Sequence, residues 1–168
     1  MPVTEFAVLK IKEPYTAQSE ILQAKLRVLD QRQGEASSYP LTYYTDDKDP
    51  SILYVVSGWD TAESHLTWVR DESNQDFFAT FGPLVSVEHS VHVDLDFNQF
   101  PGETGTLAYK VDVAAAEVKD APGQIWVGHG VALEKKTDVY QFAAFNFDTL
   151  RRNSAHGDDI KIMNRVRL

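Results

Sequence analysis

Three histidines occupy positions where the surrounding pattern calls for an apolar side chain. His65 shares a predicted helix face with Ala62 and Trp68, while His89 and His129 take the apolar phase of two alternating segments. An imidazole with an ordinary pKa near 6.5 can accept or donate a proton at neutral pH, which suits an inward-facing histidine to general acid–base catalysis. We therefore predict His65, His89 and His129 as candidate catalytic residues, with His65 first.

Two other roles are open for these histidines. A histidine at the edge of a core is often satisfied by a backbone carbonyl, so each of the three could be structural. Two strand histidines and a carboxylate could also bind Zn²⁺ or Fe²⁺. However, the chain has no HxH pair, and His89 and His92 fall on opposite faces of one strand. We predict no metal ligands.

Aromatic side chains are concentrated around His65 and in the strands before it. Such rings could line a flat pocket for an apolar ligand, although most aromatic residues at these spacings are plain core. The predicted substrate-binding residues are Tyr43, Tyr54, Trp59, Trp68, Phe78 and Phe81. The sequence lacks a phosphate-binding glycine-rich loop and a dinucleotide fingerprint, so we predict no cofactor.

The elements that must position these residues alternate between strand and helix. Hydrophobic periodicity predicts strands over residues 6–11, 41–45, 52–59 and 87–95, with helices over 19–33 and from about 60 to 84. The second helix is predicted to start at Asp60 or Thr61, with Glu63 in capping-box spacing, and to break near residues 70–73. This β-α-β-β-α-β order is typical of a ferredoxin-like unit.

The remainder of the chain repeats the strands with much weaker helices. Strands are predicted over residues 107–113, 125–133, 139–147 and 160–168, with only short or polar segments at 114–120 and 148–157. We predict an α+β protein of two tandem ferredoxin-like halves, residues 1–98 and 99–168. Together they would form an eight-stranded antiparallel α/β barrel with a cavity in the first half.

Composition narrows the possible partners. The 168 residues carry a formal charge of −9, which argues against nucleic acid because phosphate contacts need clustered Lys and Arg. No apolar run reaches the length of a membrane helix, so we also predict no membrane insertion. The chain has no cysteine and 43% hydrophobic residues, as expected for an ordinary globular protein, and we expect a cytoplasmic location.

The first half resembles the dimeric α/β-barrel superfamily in its antibiotic-biosynthesis-monooxygenase-like branch. The resemblance spans residues 6–95 and rests on a strand ending in Trp59-Asp60, a helix start at Thr61-Ala62-Glu63 and Trp68 nine residues after Trp59. A Phe-rich helix then leads into His89-Ser90-Val91-His92-Val93. Members usually join two such units from two chains, whereas here the second half would supply the partner sheet.

The resemblance implies a cavity for an apolar, often polycyclic, substrate. Its members include cofactor-free oxygenases, polyketide cyclases and haem-degrading oxygenases. The haem-degrading members carry a ligating histidine at the position of Phe78 here, and a phenyl ring cannot bind iron. We therefore expect a cofactor-independent enzyme of secondary metabolism, with oxygenation of a polyketide-like substrate as the first choice.

Several alternatives stay open on the sequence alone. An acid–base histidine in an aromatic cavity would equally serve a polyketide or terpenoid cyclase or an isomerase. A non-catalytic small-molecule-binding barrel, or a purely structural subunit, would keep the same fold without turnover. The weakly helical second half also presents apolar strand faces, for which a homodimer would provide cover.

Overall fold

A computed structural model describes residues 1–112, 123–145 and 160–168. The strands are β1 (Val3–Ile11), β2 (Thr42–Asp46), β3 (Ile52–Trp59), β4 (Val85–Val93), β5 (Thr106–Asp112), β6 (Gln124–Val131), β7 (Val139–Phe145) and β8 (Lys161–Val166). The helices are α1 (Glu20–Ser37), α2 (Ala62–Arg70) and α3 (Glu72–Phe81), with a short 3₁₀ turn at Phe97–Gln99. Within these ranges no helix has the length and apolarity needed to cross a membrane.

All eight strands belong to one antiparallel sheet with the order β4-β1-β3-β2-β8-β5-β7-β6. The first four strands and the last four follow the same internal order, since β5 to β8 occupy the positions of β1 to β4. This confirms the predicted α+β fold of tandem ferredoxin-like halves. The segments in which the second half's short or polar stretches were predicted lie outside the described residues, and the boundary at residues 98 and 99 stays a prediction.

The sheet curls until its two edge strands meet. Val93, the last residue of β4, forms an antiparallel bridge with Ala132 after β6. The Leu133 N–H donates to the His92 carbonyl at 2.8 Å, beside this bridge. Gly130 permits the approach, because a Cβ there would lie 2.5 Å from the backbone oxygen of Asp94. The closure brings the segment after β6 against β4.

The two main hydrophobic cores of the described residues lie on opposite faces of the sheet, because strand side chains alternate. The inner core fills the curled sheet and is built mainly from aromatic rings, including Phe6, Tyr54, Phe100, Tyr140 and Phe142. The helix-side core lies under the helices and includes Leu9, Leu22, Leu26, Val55 and Phe81. Strand β3 contributes to both cores, because Ile52–Val56 is apolar in both phases of the strand.

The helix boundaries differ from the prediction in two places. Helix α1 continues past Gly34 to Ser37, and Ser38 caps it in the left-handed conformation with a φ of 66°. The capping box of α2 uses Thr61 and Ser64 instead of Asp60 and Glu63. The predicted break between α2 and α3 is present at Asp71, which ends one helix and caps the next.

Candidate active site

His65 lies in the first turn of α2 and points into the helix-side layer. The Thr61 cap fixes the start of the helix directly after Trp59, so the imidazole falls over the end of β3. The residue is only 7% exposed. Its ring is 4.8 Å from the Trp59 ring and 6.4 Å from the Trp68 ring, measured between centroids. The predicted inward orientation of His65 is confirmed.

His65 belongs to a continuous series of four polar side chains, which we call the histidine row: Glu5, His65, His92 and Glu134. The Nε2 atom of His65 lies 3.4 Å from Oε1 of Glu5, and its Nδ1 atom lies 2.8 Å from Nε2 of His92. The Nδ1 atom of His92 in turn lies 2.5 Å from Oε1 of Glu134. Both histidines are thus held between two carboxylates.

Strand pairing places the inner members of this row side by side. Glu5 on β1 is the register partner of His92 on β4, and both side chains project toward α2. His92 is 2% exposed and Glu5 is 6% exposed. Glu134 comes from the segment after β6, and the sheet closure brings it to His92. The backbone N–H of His92 donates to both Glu134 oxygens, at 3.1 and 3.0 Å.

Three donors hold the second oxygen of the Glu5 carboxylate. Oε2 accepts hydrogen bonds from Gln33 Nε2 at 2.9 Å, Ser57 Oγ at 2.6 Å and Trp59 Nε1 at 2.9 Å. Helix α1 contributes Gln33, and β3 contributes the other two donors. A buried carboxylate needs such compensation for its lost hydration. These bonds fix Oε1 in place opposite His65.

Burial sets the charge of the row. Desolvation lowers the pKa of His65 from 6.5, and the positive form of His92 acts in the same direction, while Glu5 and Glu134 oppose both. Partial burial of Glu134 works to raise its pKa, but hydrogen bonds from the His92 side chain and backbone outweigh that effect and lower it. At neutral pH, His65 is therefore an uncharged base.

The structure separates the other two predicted catalytic histidines from this row. Nε2 of His89 lies 2.6 Å from the Tyr140 hydroxyl. Burial, helped by Asp138, raises the pKa of Tyr140 to about 12, so the phenol stays protonated and donates. The pairing of β1 with β4 is irregular between His89 and Val87, and both of these residues are exposed. His89 thus lies at the open edge of the inner core.

The prediction that His129 faces the interior is wrong. The apolar phase of β6, which contains Val127, His129 and Val131, faces outward, and the glycine phase faces inward. Gly128 and Gly130 are buried, and a Cβ on Gly128 would lie 2.5 Å from the Trp126 ring. The apolar residues of β6 were predicted to face inward. The inward positions are instead glycines, which make room for the Trp126 ring and the Asp94 backbone.

The predicted substrate-binding residues fall in two separate places. Tyr43, Phe81, Trp68 and Phe78 belong to or pack on the helix-side core, and Trp59 binds Glu5 beside them. Tyr54 lies across the sheet in the inner core, where its hydroxyl donates to Asp46 at 2.7 Å. Tyr54 therefore cannot share a pocket with the other five side chains.

Sequence reasoning missed three members of the row. His92, Glu5 and Glu134 were not predicted as site residues. His92 was correctly assigned to the strand face opposite His89, but that polar face is the one α2 covers. The buried position of Glu5 could have been predicted from the sequence, because Glu5 lies in the same phase of β1 as the apolar residues Ala7 and Leu9. Only the sheet closure identifies Glu134.

His65 does not line either of two cavities that described residues border. One of about 310 Å³ lies between Asp30, Tyr43 and Arg165. The other, of about 460 Å³, lies around Gly102, Ile125 and Phe145. The predicted cavity at His65 stays a prediction, and Trp68, whose ring lies beside that of His65, is only partly buried.

The site does not fit a haem or a metal ion. Phe78, at the position of the family's haem ligand, packs its ring against Trp68 at 5.8 Å. Both nitrogens of His65 and both of His92 already face polar partners within the row. Among the residues that the structure describes, no group of three or more histidine, aspartate or glutamate side chains could hold a metal ion.

No protein-family model matches the sequence, and no curated protein matches it significantly. Solved structures do match. A candidate monooxygenase from Fusobacterium nucleatum superposes with a TM-score of 0.61 at 14% identity, covering 99% of this chain and 93% of that one. An anthrone oxidase-like protein superposes with a TM-score of 0.64 at 12% identity, covering 99% of this chain and 92% of that one.

A mutant chlorite dismutase from Candidatus Nitrospira defluvii, in complex with cyanide, gives a TM-score of 0.60 at 8% identity. That match covers 99% of this chain and 91% of that one. Identities this low establish architecture alone. Nearly full coverage on both sides shows that the whole tandem is shared, including the second half. This chain has the ferredoxin-like α/β-barrel fold of these proteins.

Proposed function

We propose that this chain is a cofactor-independent enzyme of oxygenase type that removes a proton from an apolar aromatic substrate, with His65 as the general base. The histidine row carries the proposal, because it buries an uncharged imidazole beside two indole rings. A packed core rarely retains a carboxylate and two histidines in contact unless their polarity has a use.

The substrate would bind where Trp68 covers His65. Trp68 is partly buried and contacts Phe78 and Trp59, at 5.8 and 5.7 Å between ring centroids. A displacement of the indole would expose the His65 ring while leaving Glu5 and His92 in place. The surrounding rings would then stack on a flat substrate and exclude water from the base. Trp59, Trp68, Phe78 and Phe81 are the proposed contacts.

The name of one structural neighbour suggests the class of substrate. An anthrone carries an acidic CH₂ group between two aromatic rings and a ketone opposite it. His65 would remove one of these protons, and the carbanion would react with dioxygen to form a peroxide anion. Cleavage of its C–H and O–O bonds gives the quinone and hydroxide, which takes the proton from His65, so that anthrone and O₂ yield anthraquinone and H₂O. A polyketide-derived phenol of similar shape would follow the same course.

The test is oxygen uptake with anthrone as the probe. We expect the purified chain to consume one O₂ per quinone formed, faster than the uncatalysed reaction at the same pH, without added metal or flavin. Glu63→Gln, an exposed change on α2, is the control and should keep the rate. Anthrone oxidation at the uncatalysed rate, together with no turnover of related polycyclic phenols, would contradict the proposal.

Cyclisation and isomerisation need the same base and differ only in the fate of the carbanion. If the probe loses its CH proton to solvent deuterium without consuming oxygen, the chain is a cyclase or an isomerase instead. We also propose a secondary-metabolic role and a homodimer, in which a second copy covers the exposed apolar face of β6 formed by Ile125, Val127 and Val131.

A second candidate function has one observation in its favour. The cavity of about 310 Å³ beside Tyr43 and Arg165 has the size of a small-ligand site, although it is distant from the row. A non-catalytic binding barrel would use that cavity and retain the histidine row as a structural network. Ligand binding that is lost in Arg165→Gln and unchanged in His65→Gln would favour this function.

A further inference from the structure

The histidine row contains fewer protons than contacts. Three polar contacts join Glu5, His65, His92 and Glu134, and each contact needs one proton between its two atoms. With both imidazoles neutral and both carboxylates ionised, the four side chains supply two protons. One contact must therefore lack a proton, and it is a place where the row can accept one.

The distances indicate which contact lacks the proton. The bonds of His92 to Glu134 and to His65 are short, at 2.5 and 2.8 Å, whereas His65 Nε2 and Glu5 Oε1 are 3.4 Å apart. Two acceptors facing each other separate in this way, while a shared proton draws a donor and an acceptor together. The tautomer that fits these distances carries the proton of each imidazole on Nδ1, which makes Nε2 of His65 the free basic nitrogen.

The opposite end of the row reaches solvent. The side chain of Glu134 is 46% exposed, although that of His92, its partner, is 3% exposed. The row therefore connects the buried carboxylate of Glu5 to the exposed carboxylate of Glu134 through continuous polar contacts. Among the described residues, α1 and β3 contribute neutral side chains to the row: Gln33, Ser57 and Trp59 all donate to Glu5.

We infer that His92 and Glu134 are positioning residues that form the proton exit of the site, passing protons between the His65 base and solvent. When Nε2 of His65 takes a substrate proton, its Nδ1 proton moves to Nε2 of His92. The Nδ1 proton of His92 then moves to Glu134, which releases it to water. The contact without a proton is then the outer one, between His92 and Glu134, and no longer the inner one, between His65 and Glu5.

The same row resets itself in the second half of a turnover. When the leaving hydroxide takes the proton from Nε2 of His65, a water proton enters at Glu134 and both bonds shift back. The net charge of the row is the same before and after. The inference deepens the proposed function and rests on it for this catalytic cycle, but the coupling within the row is measurable without substrate.

The test uses the full chain labelled with ¹⁵N at histidine, with ring nitrogen shifts followed between pH 4 and 9. In the wild type we expect protons on both Nδ1 atoms at neutral pH and a single proton uptake that moves the His65 and His92 signals together. Glu134→Gln removes the outer charge at a half-exposed position without deleting an acceptor. It should lower the pKa of this uptake by about one to two pH units.

Two further variants make the result specific. Glu134→Asp keeps the charge and should return the pKa of the proton uptake most of the way to the wild-type value. Glu63→Gln removes an exposed charge on α2 and should leave that pKa unchanged. With substrate, Glu134→Gln should lower kcat and move the acid limb of the rate profile with the NMR titration, while KM stays constant.

Independent titration of the two histidines, or a His65 signal that ignores Glu134→Gln, would overturn the proton exit. Coupled titration in a chain that turns nothing over would leave the exit standing and refute the proposed function.

Discussion

Replacing Glu5 by alanine is expected to lower the free energy of unfolding by about 3–5 kcal/mol, the usual range when one member of a buried charged network is removed. The carboxylate accepts hydrogen bonds from Gln33, Ser57 and Trp59 and faces His65. Alanine would leave these donors without their acceptor in a buried layer. Each unsatisfied buried donor costs about 1–3 kcal/mol.

The matched control is Glu5→Gln, which keeps the shape of the side chain. The amide oxygen can accept the three hydrogen bonds, and the amide NH₂ can donate to the free Nε2 of His65. We expect a loss of about 1 kcal/mol, because bonds to a neutral oxygen are weaker than bonds to a charged one. Urea denaturation measures the free energy of unfolding of both variants, and the dependence of that free energy on urea concentration should be unchanged. An alanine variant within 1 kcal/mol of the wild type would mean that solvent reaches Glu5.

The strands and the helix-side face were predictable because period-two and period-3.6 patterns report directly on burial. Val55 and Leu22 each lie in the core that their periodicity predicts. The inward phase of β6 was not predictable, since its interior positions are glycines filled by Trp126 and by the backbone of Asp94. A pattern of apolar residues shows which face is hydrophobic, but not which face the rest of the chain covers.

The candidate site was predictable only in part, for a related reason. His65 interrupts an apolar helix face, so its sequence position alone marks it. His92 lies in the polar phase of β4 and looks like an ordinary solvent-facing residue until α2 is placed over it. Glu134 is 42 residues from His92 and meets it through sheet closure, which a single sequence does not encode locally. A polar network that joins residues of both halves can be recognised only from the tertiary structure.

Replacing His65 by glutamine is expected to lower kcat/KM for the proposed reaction by about 100- to 10,000-fold, the usual contribution of a general base. Glutamine retains hydrogen-bonding atoms toward Glu5 and His92 and has no basic nitrogen. The fold should therefore persist, which far-UV circular dichroism can check. Thr67→Ala, an exposed change on the same helix, is the matched control and should leave the rate unchanged.

The pH profile separates a base from a structural residue. Burial lowers the pKa of His65 below 6.5, so the imidazole stays unprotonated at pH 7 and the wild-type rate should fall only on the acid side of 6.5. The residual rate of His65→Gln should lose this acid limb and instead follow the ionisation of the substrate. A variant that keeps the wild-type rate and the same acid limb would show that His65 only completes the polar network and that the proton is removed elsewhere.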